Sequence, residues 1–276
     1  ENAPAIKERF DSAGIDPIEI NEIKDLENLP IIKKEELHRL QAERPPFGGF
    51  VTTPVEKLDK ILVSPGALLW PWLEEEYFDA QVRVLYNVGI RRSDTVLITF
   101  ALNFPIAHAL EYSFTKLAAI PVVSGPGNTS AQIETMRKLQ VNTYLGGWSF
   151  LINIIERAEE QGYDFCRDFN LRKVISGGEV ITPAQKQEIE EKYRFSIAEF
   201  YGTNEVGTIG YTCSENSGYH ILGDMIVEIV DPETQKQLGP GKVGEAVVTY
   251  FSKTYPLIRL GLGDLFSYTD EPCACG

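Results

Sequence analysis

From Thr95 onward the chain keeps an alternation that few folds satisfy. TVLITF, IPVVSG, VNTYLGG, RKVISGG and SIAEFYG are short apolar runs, most of them closing on glycine or serine. Between them, FPIAHALEYSFTKLAA, TSAQIETMRKLQ, SFLINIIERAEEQG and the segment opening at Thr182 space their apolar residues at helical intervals. Strands covered on both faces read as unbroken apolar runs, and each return to a parallel neighbour takes a crossover, usually a helix. The pattern therefore predicts an α/β fold: a parallel sheet with helices on both faces. The punctuation is clearest at Thr182, which can cap a helix with Gln185 three residues later and Pro183 at the first helical position.

Either side of this core the pattern differs. Residues 1–60 read as a mostly helical lead-in, with IKERFDSAG and KKEELHRLQAE at helical spacing and PPFGGFVTTP as a loop. After residue 213, MIVEIVD, GEAVVTYF and YPLIRL alternate as strands do, with the turn-rich DPETQKQLGPGK among them. The expected organisation is an α/β part over 1–212 and a smaller β-rich lobe over 213–276.

Charge narrows the choice of ligand. With 40 acidic and 26 basic residues, the net charge of -14 argues against nucleic acid or an anionic membrane as partner. A small anion stays within reach, because backbone N–H groups and one metal ion reverse the potential locally. The longest apolar runs fall short of the ~18 residues of a membrane-spanning helix, and ENAPAIKERF has no secretory pattern. Four cysteines in 276 residues make no disulfide scaffold, so a cytoplasmic setting is expected.

The stretch with most chemistry is EFYGTNEVGTIGYTC, residues 199–213. It sits where a strand ends, at the carboxyl edge of an open α/β sheet, where such folds bind ligands. Gly202 lets backbone approach a ligand, Thr203 and Asn204 can donate to an anion, and Glu205 can hold a hard cation such as Mg2+. The plainer alternative is a tight turn with a solvated glutamate.

Three further blocks, ISGGEVITPAQKQEIEEKYRFSIAEFYGTNEVG, GYHILGDMIVEIVDPETQKQLGPGKVGEAVVTYF and YPLIRLGLGDLFSYTDEPCACG, decide between these readings. Together they resemble the adenylate-forming acyl-CoA ligases, and within them the phenylacetate-CoA ligase group. FDSAGIDP, LENLPIIKKEEL and PPFGGFVTTPVEKLDKI extend the resemblance to the chain's beginning. It implies a ligase that uses ATP to make an acyl-adenylate from an aromatic or related carboxylic acid, then passes the acyl group to coenzyme A. It implies that Tyr201 packs on adenine with Gly202 beside it, and that Gly177, Gly178 and Glu179 line adenine and the acyl pocket. Asp264 would hold the ribose hydroxyls, Glu205 the Mg2+, and Thr203 with Asn204 the phosphate during attack. Asn204 departs from the family's usual serine or threonine, although an amide still donates. Family members often pair, so a homodimer is an alternative to the monomer.

Two departures bear on activity. The family's Ser/Thr/Gly-rich phosphate loop should follow KILVS, but the chain reads SPGALLWPWLEEEYF: Ser64 and Gly66 remain, while Ala67, Leu68, Leu69 and Trp70 replace threonines, a glycine and the lysine. Bulky apolar residues do not cradle a triphosphate. The family's smaller C-terminal domain should begin just after CACG, and the expectation is that this chain lacks it. A second reading therefore stands beside the ligase: a catalytically impaired nucleotide- or acyl-binding module or partner subunit.

Cys213, His220, Cys273 and Cys275 add a separate expectation, a tetrahedral structural zinc site of three thiolates and one imidazole. The alternative is reduced, unlinked thiols. Cys166 has no evident partner and reads as a buried thiol. Asn103, Phe104 and Trp148 follow strand ends where the family shapes its acyl pocket. SGPGNTS lacks the third glycine and the downstream acid of a dinucleotide loop.

Overall fold

A computed structural model describes residues 2–76, 79–215 and 218–275. In chain order its first elements are α1 (Pro4–Ala13), α2 (Lys34–Glu43), β1 (Lys60–Val63), β2 (Leu69–Trp72) and α3 (Asp79–Asn87). Next come β3 (Thr95–Ile98), α4 (Pro105–Lys116), β4 (Ile120–Val123), α5 (Thr129–Lys138), β5 (Thr143–Gly146), α6 (Trp148–Glu160) and α7 (Phe165–Asp168). The remainder is β6 (Lys173–Ser176), α8 (Pro183–Tyr193), β7 (Ser196–Thr203), β8 (Gly207–Thr212), β9 (Tyr219–Ile221), β10 (Met225–Val230), β11 (Gly244–Tyr250) and β12 (Leu257–Phe266). The chain divides into two compact units, Glu1–Tyr77 with Ile221–Ala274 and Phe78–His220 with Cys275.

The second of these units carries the alternation predicted from Thr95. Its sheet runs in the order β4-β3-β5-β6-β7-β8-β9, and the strands from β4 to β7 are all parallel. Period-two alternation sends neighbouring residues of each strand to opposite cores. Leu97, Tyr144, Val174 and Ile197 pack with Ile133 and Met136 of α5 and with Leu151, Ile154 and Ile155 of α6. Val96, Ile98, Leu145 and Ile175 pack on the other face with Leu85 of α3 and Leu110 and Phe114 of α4. Helices thus cover both faces, as expected of an α/β sheet. The Thr182 cap forms as read: Gln185 N donates to Thr182 Oγ1 at 3.3 Å, and Thr182 N donates to Gln185 Oε1 at 3.1 Å.

The other unit holds the antiparallel sheet β10-β11-β12 and the β1–β2 hairpin. Phe10 of α1, Leu26 and Leu29 form a small core against Ile226 and Ile258. At its centre Arg259 is fully buried beside Glu228, which is 3% exposed. Arg259 Nε donates to Glu228 Oε2 at 3.1 Å and Nη1 to the Leu29 carbonyl at 2.6 Å. Burial raises the Glu228 carboxyl above its ordinary range, opposed by the Arg259 charge.

Candidate functional site

Strand β7 ends the parallel part of its sheet, and the chain there doubles back through Asn204–Val206 into β8, which pairs with β7 antiparallel. The sequence shows the turn, whereas GTIGYT as a sheet strand is visible only in the fold. Gly202 faces Gly207 and Thr208 across a bulge in this hairpin. A Cβ on residue 202 would lie 2.6 Å from Ile106 Cδ1 and 2.9 Å from Thr208 Cα, so only glycine fits. Gly207 has φ +76°, the left-handed region that returns the chain. The hairpin is held from behind by Gln81, whose Nε2 donates to Thr208 Oγ1 at 2.8 Å.

Thr203 Oγ1 and Asn204 Oδ1 are buried from solvent and make no hydrogen bond among the described residues. Buried polar atoms without partners cost about 1–3 kcal/mol each and mark a place that a ligand or water fills. Glu205 beside them is 3% exposed. Tyr201 and Tyr219 bring their rings to 6.0 Å at 49°, and burial, then the nearby Glu199 charge, raises the Tyr219 phenol above its ordinary value.

The end of β6 supplies a second wall in the same unit. Gly177 lies over Phe200, where a Cβ would stand 2.6 Å from ring atom Cε1. Gly178 turns the chain at φ +78° with open space where a side chain would be. Glu179 lays its carboxylate on the backbone of Gly147, leaving no room there for a Cβ. The neighbouring Thr99 hydroxyl donates to Tyr144 Oη at 2.9 Å, and Tyr144 donates to the Gly147 carbonyl at 3.0 Å. Burial pushes the Tyr144 phenol well up, so it stays a neutral donor. Thr99, Tyr144 and Gly147 were not singled out in the sequence; the Gly146–Gly147 pair at a strand end was the available signal. Trp148 Nε1 donates to the Val180 carbonyl at 3.3 Å and closes this wall.

In the first unit, Asp264 stands exposed on β12, one residue after Gly263 with its φ of +79°. The altered segment SPGALLWPW forms the turn and second strand of the β1–β2 hairpin, and its backbone donors bond within the hairpin and to Gln41. Ser64 N donates to the Leu68 carbonyl at 2.9 Å, Ala67 N to the Ser64 carbonyl at 2.9 Å, and Leu68 N to Ser64 Oγ at 3.1 Å. Leu69 N donates to Gln41 Oε1 at 2.9 Å. Trp72 is fully buried, and Trp70 stacks on Tyr250 at 6.5 Å.

Cys213, His220 and Cys275, all in the second unit, place their ligand atoms within 4.8 Å of one another, and Cys273, two residues before Cys275 along the chain, is the fourth of the group. Cys275 Sγ and His220 Nε2 are 3.4 Å apart. Ligands bound about 2.0–2.3 Å from one tetrahedral ion stand about 3.3–3.8 Å from each other, a spacing that the Cys275–His220 pair has, and three thiols with one imidazole are a donor set that suits zinc in kind. Cys166, expected to be buried, is instead exposed at the surface of α7.

A family model described as AMP-binding enzyme matches residues 76–250. The chain belongs to the AMP-binding enzyme family. The match spans the β7–β8 turn and the end of β6; the β1–β2 hairpin, Asp264, Cys273 and Cys275 lie outside it. Among its relatives, the phenylacetate-coenzyme A ligase of Escherichia coli (strain K12) is 27% identical over 96% of this chain and 62% of its own length. That of Thermus thermophilus is 26% identical over 100% of this chain and 64% of its own length. The chain thus spans less than two thirds of these relatives. Among solved structures, 2-hydroxyisobutyryl-CoA ligase in an open conformation with 2-HIB-AMP and CoA superposes with a TM-score of 0.90 at 23% identity, covering 98% of this chain and 62% of that one. A benzoate CoA ligase from Burkholderia xenovorans LB400 gives 0.53 at 14% identity, over 65% of this chain and 37% of that one. These likenesses show the adenylate-forming ligase fold.

Proposed function

We propose that this chain supplies the nucleotide- and acyl-binding part of an AMP-forming acyl-CoA ligase acting on an aromatic or related carboxylic acid, with ATP, Mg2+ and coenzyme A. The observation that carries the reading is the pair of buried, unpartnered polar atoms on Thr203 and Asn204 at the carboxyl edge of the sheet. A phosphate there receives the threonine hydroxyl and the asparagine amide, whose oxygen and nitrogen can exchange places to donate. Donors fixed before the reaction stabilise charge as it develops on the phosphate, without reorganising. Glu205 offers the carboxylate for Mg2+, Tyr201 the ring for adenine beside Gly202, Gly177, Gly178 and Glu179 the wall of the acyl pocket, and Asp264 the acceptor for ribose hydroxyls. Mg2+ would neutralise phosphate charge.

Phenylacetate-coenzyme A ligases among the relatives support an aryl acid as the substrate class. The Cys213, His220, Cys273 and Cys275 group would hold a structural zinc, with no position left for a catalytic water. The protein would act in the cytoplasm on small molecules, as a monomer or a homodimer and without nucleic acid or membrane; no helix among the described residues is long and apolar enough to cross a membrane.

A second reading has its own support. The β1–β2 hairpin commits backbone donors to itself and to Gln41 and turns its tryptophans into the core, which favours a binding module with a weakened grip on triphosphate. Calorimetric titration with Mg-ATP and, separately, AMP separates the two. Binding of both, with pyrophosphate release in the presence of aryl carboxylates, supports the ligase; AMP binding without ATP binding supports the module; binding of neither refutes both.

A further inference from the structure

Strand β9 has little of its own to hold it in place. It is three residues long, Tyr219–Ile221, and lies at the end of its sheet, next to β8. A strand that short makes few backbone bonds, and Ile221 is 46% exposed, so burial anchors it weakly. Two of its side chains nevertheless reach toward chemistry. Successive residues of a strand face opposite ways, and the Tyr219 ring meets Tyr201 at 6.0 Å whereas the His220 ring meets Tyr211 at 5.6 Å. The β7–β8 register agrees, since Tyr211 stands opposite Phe200 and Tyr201 opposite Gly210.

The cysteine and histidine group supplies an anchor. His220 Nε2 lies 3.4 Å from Cys275 Sγ, and Cys213 follows Thr212, the last residue of β8. Thr212 is itself fastened to β7, because Glu199 N, two residues before Tyr201, donates to Thr212 Oγ1 at 2.9 Å. A metal held by Cys213, His220 and Cys275 therefore ties β9 to the end of β8, and β8 is tied to the strand that carries Tyr201. Such a metal adds its binding free energy to the order of the segments that carry its ligands.

We propose that Tyr219 is a positioning residue that sets the ring of Tyr201, and that metal at the cysteine and histidine group keeps Tyr219 there, so that loading the metal tightens nucleotide binding. The inference rests on the reading of Tyr201 as the ring that packs on adenine. Without the metal β9 frays, Tyr219 leaves Tyr201, and that ring regains rotamer freedom which the nucleotide must then remove. The coupling is reciprocal, so the nucleotide tightens the metal by the same factor.

AMP is titrated calorimetrically into the zinc-loaded chain and into the chain stripped with a chelator, with circular dichroism on both. Stripping is expected to weaken AMP binding by about fivefold or more. Tyr219→Ala, still holding its zinc by elemental analysis, should weaken AMP by a similar factor, and stripping that variant should add less than about twofold. Tyr219→Phe restores the ring and should rescue both the affinity and its dependence on zinc. A second measurement needs no stripped chain: saturating AMP should raise the chelator concentration that removes half the zinc from the wild type by about fivefold or more, and should leave it unchanged for Tyr219→Ala. Equal AMP affinity with and without zinc overturns the proposal, as does a zinc effect that survives in Tyr219→Ala or a chain that takes up no zinc. A zinc-loaded chain that binds no AMP overturns the nucleotide reading itself, and the proposal with it.

Discussion

The side-chain amide of Gln41 pairs with both backbone groups of Leu69, donating to its carbonyl at 2.8 Å and accepting from its N–H at 2.9 Å. A glutamine on α2 thus completes strand β2 as a neighbouring strand would, and its Nε2 also donates to Tyr255 Oη at 3.0 Å. The segment that stands where the resembling ligases keep a phosphate loop is fixed as a hairpin by this clamp.

Gln41→Ala should therefore destabilise the chain by about 2–4 kcal/mol, since two partly buried backbone groups lose partners worth ~1–3 kcal/mol each. Denaturant unfolding measures it. A loss below ~0.5 kcal/mol would mean that the hairpin holds itself.

At the β7–β8 turn, Gly202→Ala should abolish AMP binding and lower the melting temperature, because the added methyl meets the backbone of Thr208. Gly178→Ala has open space and faces only the left-handed penalty of about 1–2 kcal/mol. Calorimetry on both variants should show the first far weaker; equal effects would contradict the role of close approach at Gly202.

The buried pair Glu228 and Arg259 gives a thermodynamic test. Glu228→Ala leaves a guanidinium with no exposed surface and no counter-charge, and should cost about 3–5 kcal/mol. The double variant Glu228→Leu with Arg259→Met should recover most of that loss, measured by urea unfolding. If the double variant is as unstable as the single one, the Arg259 bond to the Leu29 carbonyl matters more than the ion pair.

Purified without chelator, the protein should carry about one zinc per chain by elemental analysis. Cys213→Ser and Cys275→Ser should each lose it, and chelation should lower the melting temperature. Zinc content untouched by both substitutions would leave the four residues as unlinked thiols and imidazole.

Much of this protein was determined by its sequence alone. Apolar runs returning every 20 to 30 residues dictate strands that must be buried on both faces, because no helix-bearing crossover of that length leaves a face bare. The turn after SIAEFYG was equally plain, since glycine, hydroxyl, amide and carboxylate crowd into four residues, and the Cys/His spacing pointed to a metal. Only tertiary structure decided what SPGALLWPW becomes: its fate rests on Gln41, 28 residues before Leu69, and on Tyr250 and Tyr255, far later in the chain. It also decided that Gly177 is required by a ring on Phe200, that Glu179 lies on Gly147, and that Cys166 is exposed. Local patterns record the free energy of burying a face, which each segment carries in its own residues. Contacts between distant side chains depend on the packing of the whole core, which no single segment encodes.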